Sequence, residues 1–171
     1  MKRLVLVRHA KSSWSDPELD DFDRPLNERG RLSAPVTGAW LAEKGMRPDF
    51  VAMSPARRCI ETWERISAQI PTVPEPKSEK RLYMADPDTM LTVLRHVPRE
   101  ADTVVMVGHQ PGISSFARKL ANGTVPASCA RAFKKFPTAA AAIIEFEADD
   151  WEDADFGRGE FRCFAAPKEL V

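Results

Sequence analysis

Thr103-Val104-Val105-Met106-Val107 is followed by Gly108-His109-Gln110-Pro111-Gly112, and then by a helical pattern over Ile113–Ala121 that stops at Asn122-Gly123. The first five residues are apolar or β-branched throughout, which suits a strand and shows no polar alternation. A strand without alternation has both faces buried, as in a parallel sheet covered by helices on two sides. Two more stretches repeat the pattern. Leu4-Val5-Leu6-Val7 ends abruptly at Arg8-His9, and Phe50-Val51-Ala52-Met53 ends at Ser54-Pro55.

Helical spacing fills the gaps between these strands. Asn27-Glu28-Arg29-Gly30 leads into a stripe of Leu32, Val36, Ala39, Trp40 and Leu41 that stops at Gly45. Pro35 sits near the front of that stripe, where a missing N–H costs least. A second helix is expected over Ala56–Gln69, with Ser54 as N-cap and Pro55 at the first helical position. A third is expected over Asp88–Val97. Ser12–Asp23 reads as a polar, acidic loop, and Pro71–Pro76 as an extended segment. Ala140–Phe146 and Glu160–Ala165, separated by the acidic stretch Asp149–Gly159, predict an antiparallel hairpin at a sheet edge. Strands alternating with helices give an α/β three-layer sandwich. The expected sheet has about six strands, is mostly parallel, and lies within one domain spanning residues 1–171.

The chain has 171 residues, with 25 Lys and Arg against 25 Asp and Glu, so its formal charge is zero. Nucleic acid and anionic membrane both reward a basic excess, so neither is an expected partner. The run Thr138–Phe146 is far shorter than the ~20 apolar residues of a membrane-spanning helix. Met1-Lys2-Arg3 is followed by only four apolar residues before Arg8, too few for a signal peptide, and a cytoplasmic location is expected. Cys59, Cys129 and Cys163 are odd in number and widely spaced, which fits reduced thiols. Trp14 and Trp151 fall in predicted loops; lining a partner surface is one reading, and packing into the core or its rim is the expected one, given the area an indole buries.

In open α/β sheets ligands bind beyond the carboxyl ends of the strands. Three polar clusters fall there: Arg8-His9, Ser54 with Arg57-Arg58, and Gly108-His109. Guanidiniums clamp phosphoryl oxygens in pairs, and a neutral imidazole can attack phosphorus and carry the group covalently. Each cluster also has a plain structural reading. A lone histidine can be a packed or surface residue, and one of Arg57 and Arg58 is expected to belong to a solvated helix face. His96, near a helix end, reads as structural. No histidine or cysteine spacing suits a metal, no G-x-S-x-G elbow marks a serine nucleophile, and no P-loop is present.

The motifs resemble the histidine phosphatase superfamily, which includes cofactor-dependent phosphoglycerate mutase. Leu6-Val7-Arg8-His9-Ala10 is similar to its RHG/RHA signature, Ser54-Pro55-Ala56-Arg57-Arg58-Cys59-Ile60-Glu61-Thr62 to its S-x-x-x-R-A-x-x-T segment, and Val107-Gly108-His109 to its second histidine motif. Arg8-His9-Ala10-Lys11-Ser12-Ser13-Trp14, Asp23-Arg24-Pro25-Leu26-Asn27-Glu28-Arg29-Gly30 and the compact length resemble the SixA-type phosphohistidine phosphatases. The resemblance implies His9 as nucleophile, Arg8 and Arg58 as phosphoryl clamps, and His109 as a stabiliser of transition-state charge. It also makes Arg24 a third cationic contact. No metal or organic cofactor is implied, because the arginines supply the positive charge.

One departure bears on the leaving group. Mutases and phosphoesterases of the superfamily carry a glutamate where Glu79-Lys80-Arg81-Leu82-Tyr83 places Lys80. Glu79 and Asp86 are the remaining candidates for a general acid, each with a solvated-surface alternative. Alkoxide leaving groups need such an acid; an imidazole can be protonated beforehand at its free nitrogen. The expected activity is therefore hydrolysis through a phosphorylated His9, with phosphohistidine on a partner protein as substrate. The alternatives are a small-molecule phosphomonoesterase or mutase acting on a phosphorylated metabolite, and a phosphate-binding module without turnover.

Overall fold

The computed structural model describes all 171 residues. Six strands form one sheet: β1 (Lys2–Arg8), β2 (Phe50–Met53), β3 (Lys77–Ser78), β4 (Thr103–Gly108), β5 (Ala141–Phe146) and β6 (Glu160–Ala165). Their order is β3-β2-β4-β1-β5-β6. The first four are mutually parallel, whereas β5 runs antiparallel to both β1 and β6. The fold is the expected α/β sandwich, mostly parallel with an antiparallel hairpin at one edge.

The apolar runs of the central strands work as two interleaved sets. Leu4, Leu6, Val104 and Met106 face one core, which α3 (Pro87–Arg95) and α4 (Gly112–Leu120) cover with Leu91, Leu94, Ile113 and Phe116. Val5, Val7, Val105 and Val107 face the other, covered by α1 (Glu28–Glu43) and α2 (Arg57–Ser67) through Ala34, Leu41, Trp63 and Ile66. Side chains alternate across a strand, so a strand buried on both faces must be apolar at every position. Burying each such Val or Leu contributes about 1.5–3 kcal/mol. The helices hold because they pack closely. An added Cβ on Gly38 of α1 would lie 2.5 Å from the Ile66 carbonyl oxygen of α2.

Local details depart from expectation in four places. α2 starts at Arg57, so Pro55 precedes the helix and Ala56 is its N-cap residue. Pro35 lies inside α1, whose start at Glu28 is capped by Asn27 Oδ1 accepting from Gly30 N at 2.9 Å. The two-residue strand β3 and the short helix α5 (Ala127–Ala130) have no counterpart in the hydropathy pattern, being too short to show a period. Trp151 is fully buried, its Nε1 donating to Ala101 O at 2.6 Å, but Trp14 is 76% exposed. Trp14 lies over the Arg24 guanidinium, 3.5 Å from Cζ to ring centroid, which covers one face and leaves the other in solvent.

No helix is long and apolar enough to cross a membrane.

Candidate active site

Sheet register brings the two histidines together. β1 and β4 are parallel neighbours in which Arg8 pairs with Gly108, so His9 and His109 are the next residues of adjacent strands. His9 N donates to Gly108 O at 3.1 Å, and the imidazole centroids are 5.3 Å apart with the rings tilted by 57°. β2 flanks β4 on its other side, and the chain beyond β2 enters α2, which carries Arg58. Three adjacent strands thus deliver their polar ends to one rim. Thr62, one turn beyond Arg58, ties the pieces: its Oγ1 accepts from Ala10 N at 2.8 Å and donates to Arg58 O at 2.6 Å.

A pocket of about 420 Å³ opens here, lined by Arg8, His9, Arg24, Arg58 and His109 together with Asp21. His9 Nδ1 lies 2.7 Å from Ala10 O. A carbonyl only accepts, so Nδ1 carries the proton and Nε2 keeps its lone pair. Burial pushes the His9 pKa down to about 3, with His109, Arg58 and Arg8 adding to the shift. His9 is consequently a neutral imidazole at neutral pH, the form in which it is a nucleophile.

His109 is fixed in the opposite tautomer. Arg58 Nη2 lies 3.2 Å from His109 Nδ1 and can only donate, which leaves the ring proton on Nε2, 2.8 Å from Ser54 Oγ. Burial, then the neighbouring Arg58, lowers its pKa to about 4. A bound dianion would offset those cations and favour the protonated ring. Cys59 Sγ also lies 3.5 Å from Nε2, but burial raises that thiol to about 12, so it is inert as a thiolate.

The arginines differ in what remains free. Arg8 Nη1 donates to Phe136 O at 2.9 Å, and Arg58 Nη1 donates to Asp21 O at 2.6 Å. The Nε groups of Arg8 and Arg58 are both buried with no hydrogen-bond partner in the protein. Orphaned buried donors of this kind cost stability, and both belong to guanidiniums that line the pocket, whose positive charge an oxyanion would offset. Arg24, buried to 6% exposure, also lines the pocket, but four hydrogen bonds engage it with Asp21, Ser12 Oγ and Ser13 O. Arg57 points to solvent and pairs with Glu61 at 2.8 Å, as the solvated reading of that residue requires.

The two carboxylates considered as acids are not brought to the pocket. Glu79 is paired with Arg81 at 3.0 Å, which holds its carboxyl below the ordinary range. Asp86 caps α3, accepting from Thr89 N at 2.8 Å. Asp21 is the carboxylate at the pocket instead, and the sequence offers no period or motif that would single it out. It accepts from Arg58 Nη2 at 2.9 Å, Arg24 Nη2 at 3.0 Å and Tyr83 OH at 2.6 Å. Burial alone would raise its pKa; the three donors win and hold it far below the carboxylate range. His96 is remote, its Nδ1 donating to Thr92 O at 2.7 Å on α3. No group of three or more His, Cys, Asp or Glu side chains is placed to hold a metal ion.

Comparison with known proteins gives a consistent picture. The model of the histidine phosphatase superfamily (branch 1) matches residues 4–83. The uncharacterized protein Rv1276c of Mycobacterium tuberculosis is 34% identical over 164 residues, covering 95% of this chain and 100% of that protein. Among solved structures, a SixA phosphohistidine phosphatase candidate from Nakamurella multipartitia superposes with a TM-score of 0.83 at 26% identity, covering 97% of this chain and 96% of the other. The protein histidine phosphatase SixA complexed with tungstate shares the fold at a TM-score of 0.80 and 20% identity, over 99% of each chain.

Proposed function

Because the chain belongs to the histidine phosphatase superfamily (branch 1), and within it to the SixA type, we propose that it is a phosphatase working through a phosphohistidine intermediate on His9. The observation that carries this reading is a neutral His9 with its Nε2 lone pair free, beside two buried guanidinium Nε–H groups that lack protein acceptors. In the first step His9 Nε2 attacks phosphorus, a new P–N bond forms, and the bond to the leaving group breaks with its electron pair. Arg8 and Arg58 hold the phosphoryl oxygens, with Arg24 behind them. His109, protonated once the dianion is bound, donates a hydrogen bond from Nδ1 to an oxygen of the transferring group and keeps its proton throughout. In the second step water attacks the phosphoryl, the bond to Nε2 breaks, and inorganic phosphate leaves with neutral His9 restored. Catalysis of this kind is positioning plus electrostatic stabilisation.

The substrate we favour is phosphohistidine on a partner protein. The carboxylate at the pocket, Asp21, is held ionised by Arg58, Arg24 and Tyr83 and has no proton to give to a departing alkoxide. A phosphorylated imidazole needs no such donor, because its other ring nitrogen is protonated in solution before the P–N bond breaks.

Labelling tests the intermediate directly. Protein quenched during turnover of a radiolabelled phosphoryl donor should carry an acid-labile, base-stable label that is lost in His9→Gln. Label that persists in that variant, or that survives acid, overturns the assignment of His9. Comparison of kcat/KM for phosphohistidine with that for sugar phosphates and phosphoglycerates tests the substrate class, and preference for the P–O esters overturns it.

A further inference from the structure

The segment Trp14–Asp23 is a run of ten residues, all exposed, that borders the pocket. It is not slack. Ser13 N donates to Pro25 O at 2.8 Å, Ser12 bridges to Leu26, and Asp21 anchors the far end to Arg58 and Tyr83. Trp14 is pinned by its inner face to Arg24. On this fixed strap stand Trp14, Leu19 and Phe22, exposed by 76%, 36% and 38%, and beside it Met84 is exposed by 51%. The other large apolar side chains left in solvent are three at the chain ends and Leu32. Met84 lies next to Arg58, with Sδ 3.9 Å from Nη2, and its backbone has φ 51°, a strained value for a side chain of this kind. Trp14 and Met84 line the pocket itself, and Leu19 and Phe22 stand on the strap that borders it; an exposed apolar surface on an ordered segment beside a pocket marks an interaction site.

Charge identifies what fits it. The outward side chains of the strap include Asp16, Glu18, Asp20 and Asp23, and no Lys or Arg lies between Ser12 and Asp23. Immediately inside are Arg8, Arg24 and Arg58, which line the pocket and make it cationic. The complement is therefore a phosphoryl group set within a cationic and apolar surround. A small phosphometabolite that fills the pocket is too short to cover a ten-residue strap as well. A protein face meets both demands.

We propose that the strap Trp14–Asp23 is the docking surface for the protein that carries the phosphorylated histidine, and that it recognises Lys or Arg and apolar residues flanking that histidine. The proposal rests on the phosphohistidine reading above. Acid on one rim and base on the other steers encounter and sets the register of docking, while the apolar side chains supply contact area.

The test uses two peptides of equal length, each with one phosphohistidine, flanked in one by Lys and Leu and in the other by Glu and Leu, with N-phosphoimidazole as a small control. The protein should prefer the Lys peptide in kcat/KM by about tenfold or more at low salt, and lose that preference at ~1 M salt, where the Debye length is about 3 Å. The combined variant Asp16→Lys, Glu18→Lys and Asp20→Lys should favour the Glu peptide. Leu19→Ser should weaken use of both peptides. Both variants should hydrolyse N-phosphoimidazole as the unaltered protein does. Equal use of the two peptides, or loss of N-phosphoimidazole turnover in parallel with peptide turnover, overturns the docking role and leaves the phosphatase reading standing. Failure of the unaltered protein to hydrolyse N-phosphoimidazole and both peptides overturns the two together.

Discussion

Ser54 Oγ lies 2.8 Å from His109 Nε2, and this contact decides which nitrogen of that ring can face a phosphoryl group. With the proton on Nε2 donated to Ser54, Nδ1 is left to meet Arg58 and then the substrate. Ser54→Ala removes the acceptor and lets the ring turn or change tautomer. The expected result is a fall in kcat of ~10-fold or more, up to the ~100-fold at which loss of a whole general acid–base contribution begins, with KM little changed. Steady-state kinetics on p-nitrophenyl phosphate would show it; a pure KM effect would mean that Ser54 serves binding alone.

Asp21 is the acceptor shared by Arg58, Arg24 and Tyr83, so its removal frees three donors at once. Asp21→Ala should weaken vanadate inhibition and lower kcat/KM by about tenfold, because an arginine that is not held loses the benefit of preorganisation. Inhibition constants for vanadate give the sign. Tighter binding in the variant would show that Asp21 competes with the oxyanion for Arg58.

Acid should destabilise the fold before carboxylates titrate. The folded-state pKa values of His9 and His109, about 3 and about 4, lie below the ordinary value of 6.5. Between those limits the unfolded chain binds more protons, so stability is complete above about pH 6.5 and falls as the pH drops toward 4, with a slope of at most ~1.4 kcal/mol per pH unit per histidine. Urea midpoints at pH 7.5, 6 and 5 would trace the loss. In His9→Gln with His109→Gln the curve should be flatter over this interval, and an equally steep curve would assign the effect elsewhere.

Gly30 permits the close approach of α1 to the segment after His9. A Cβ there would lie 2.1 Å from Lys11 O, a backbone atom that cannot step aside alone. Gly30→Ala should cost about 1–3 kcal/mol, as overpacking does, and lower Tm by several degrees. Activity should fall with it, since Lys11 and His9 move together. An unchanged Tm would show that the start of the helix shifts freely.

The parts of the molecule that could be read beforehand are those where one physical pattern dominates. β1, β2 and β4 are apolar on both faces and end in charge, so the placement of His9, Arg58 and His109 beyond them follows from the parallel sheet. Asp21 escaped because it sits in an acidic loop without period, and only the folded path of residues 12–27 carries it back to Arg58. Ser54 reads as the cap of α2 by residue type, but the helix is capped at Ala56, and Ser54 Oγ instead meets His109, 55 positions away, because β2 lies next to β4. Trp14 reads as a buried indole because of its size. It is exposed because the buried cation beneath it already occupies the space an indole would fill.

The pairing of Arg8 with Gly108 makes the separation of the two imidazoles a property of the ladder and not of the chain that links them. New termini could be opened in the exposed stretch just before β6, around Gly157-Arg158, without altering that spacing. A single residue inserted within β1, by contrast, would swing His9 to the far face of the sheet. The molecule should therefore tolerate circular permutation at its periphery and refuse the smallest insertion at its centre.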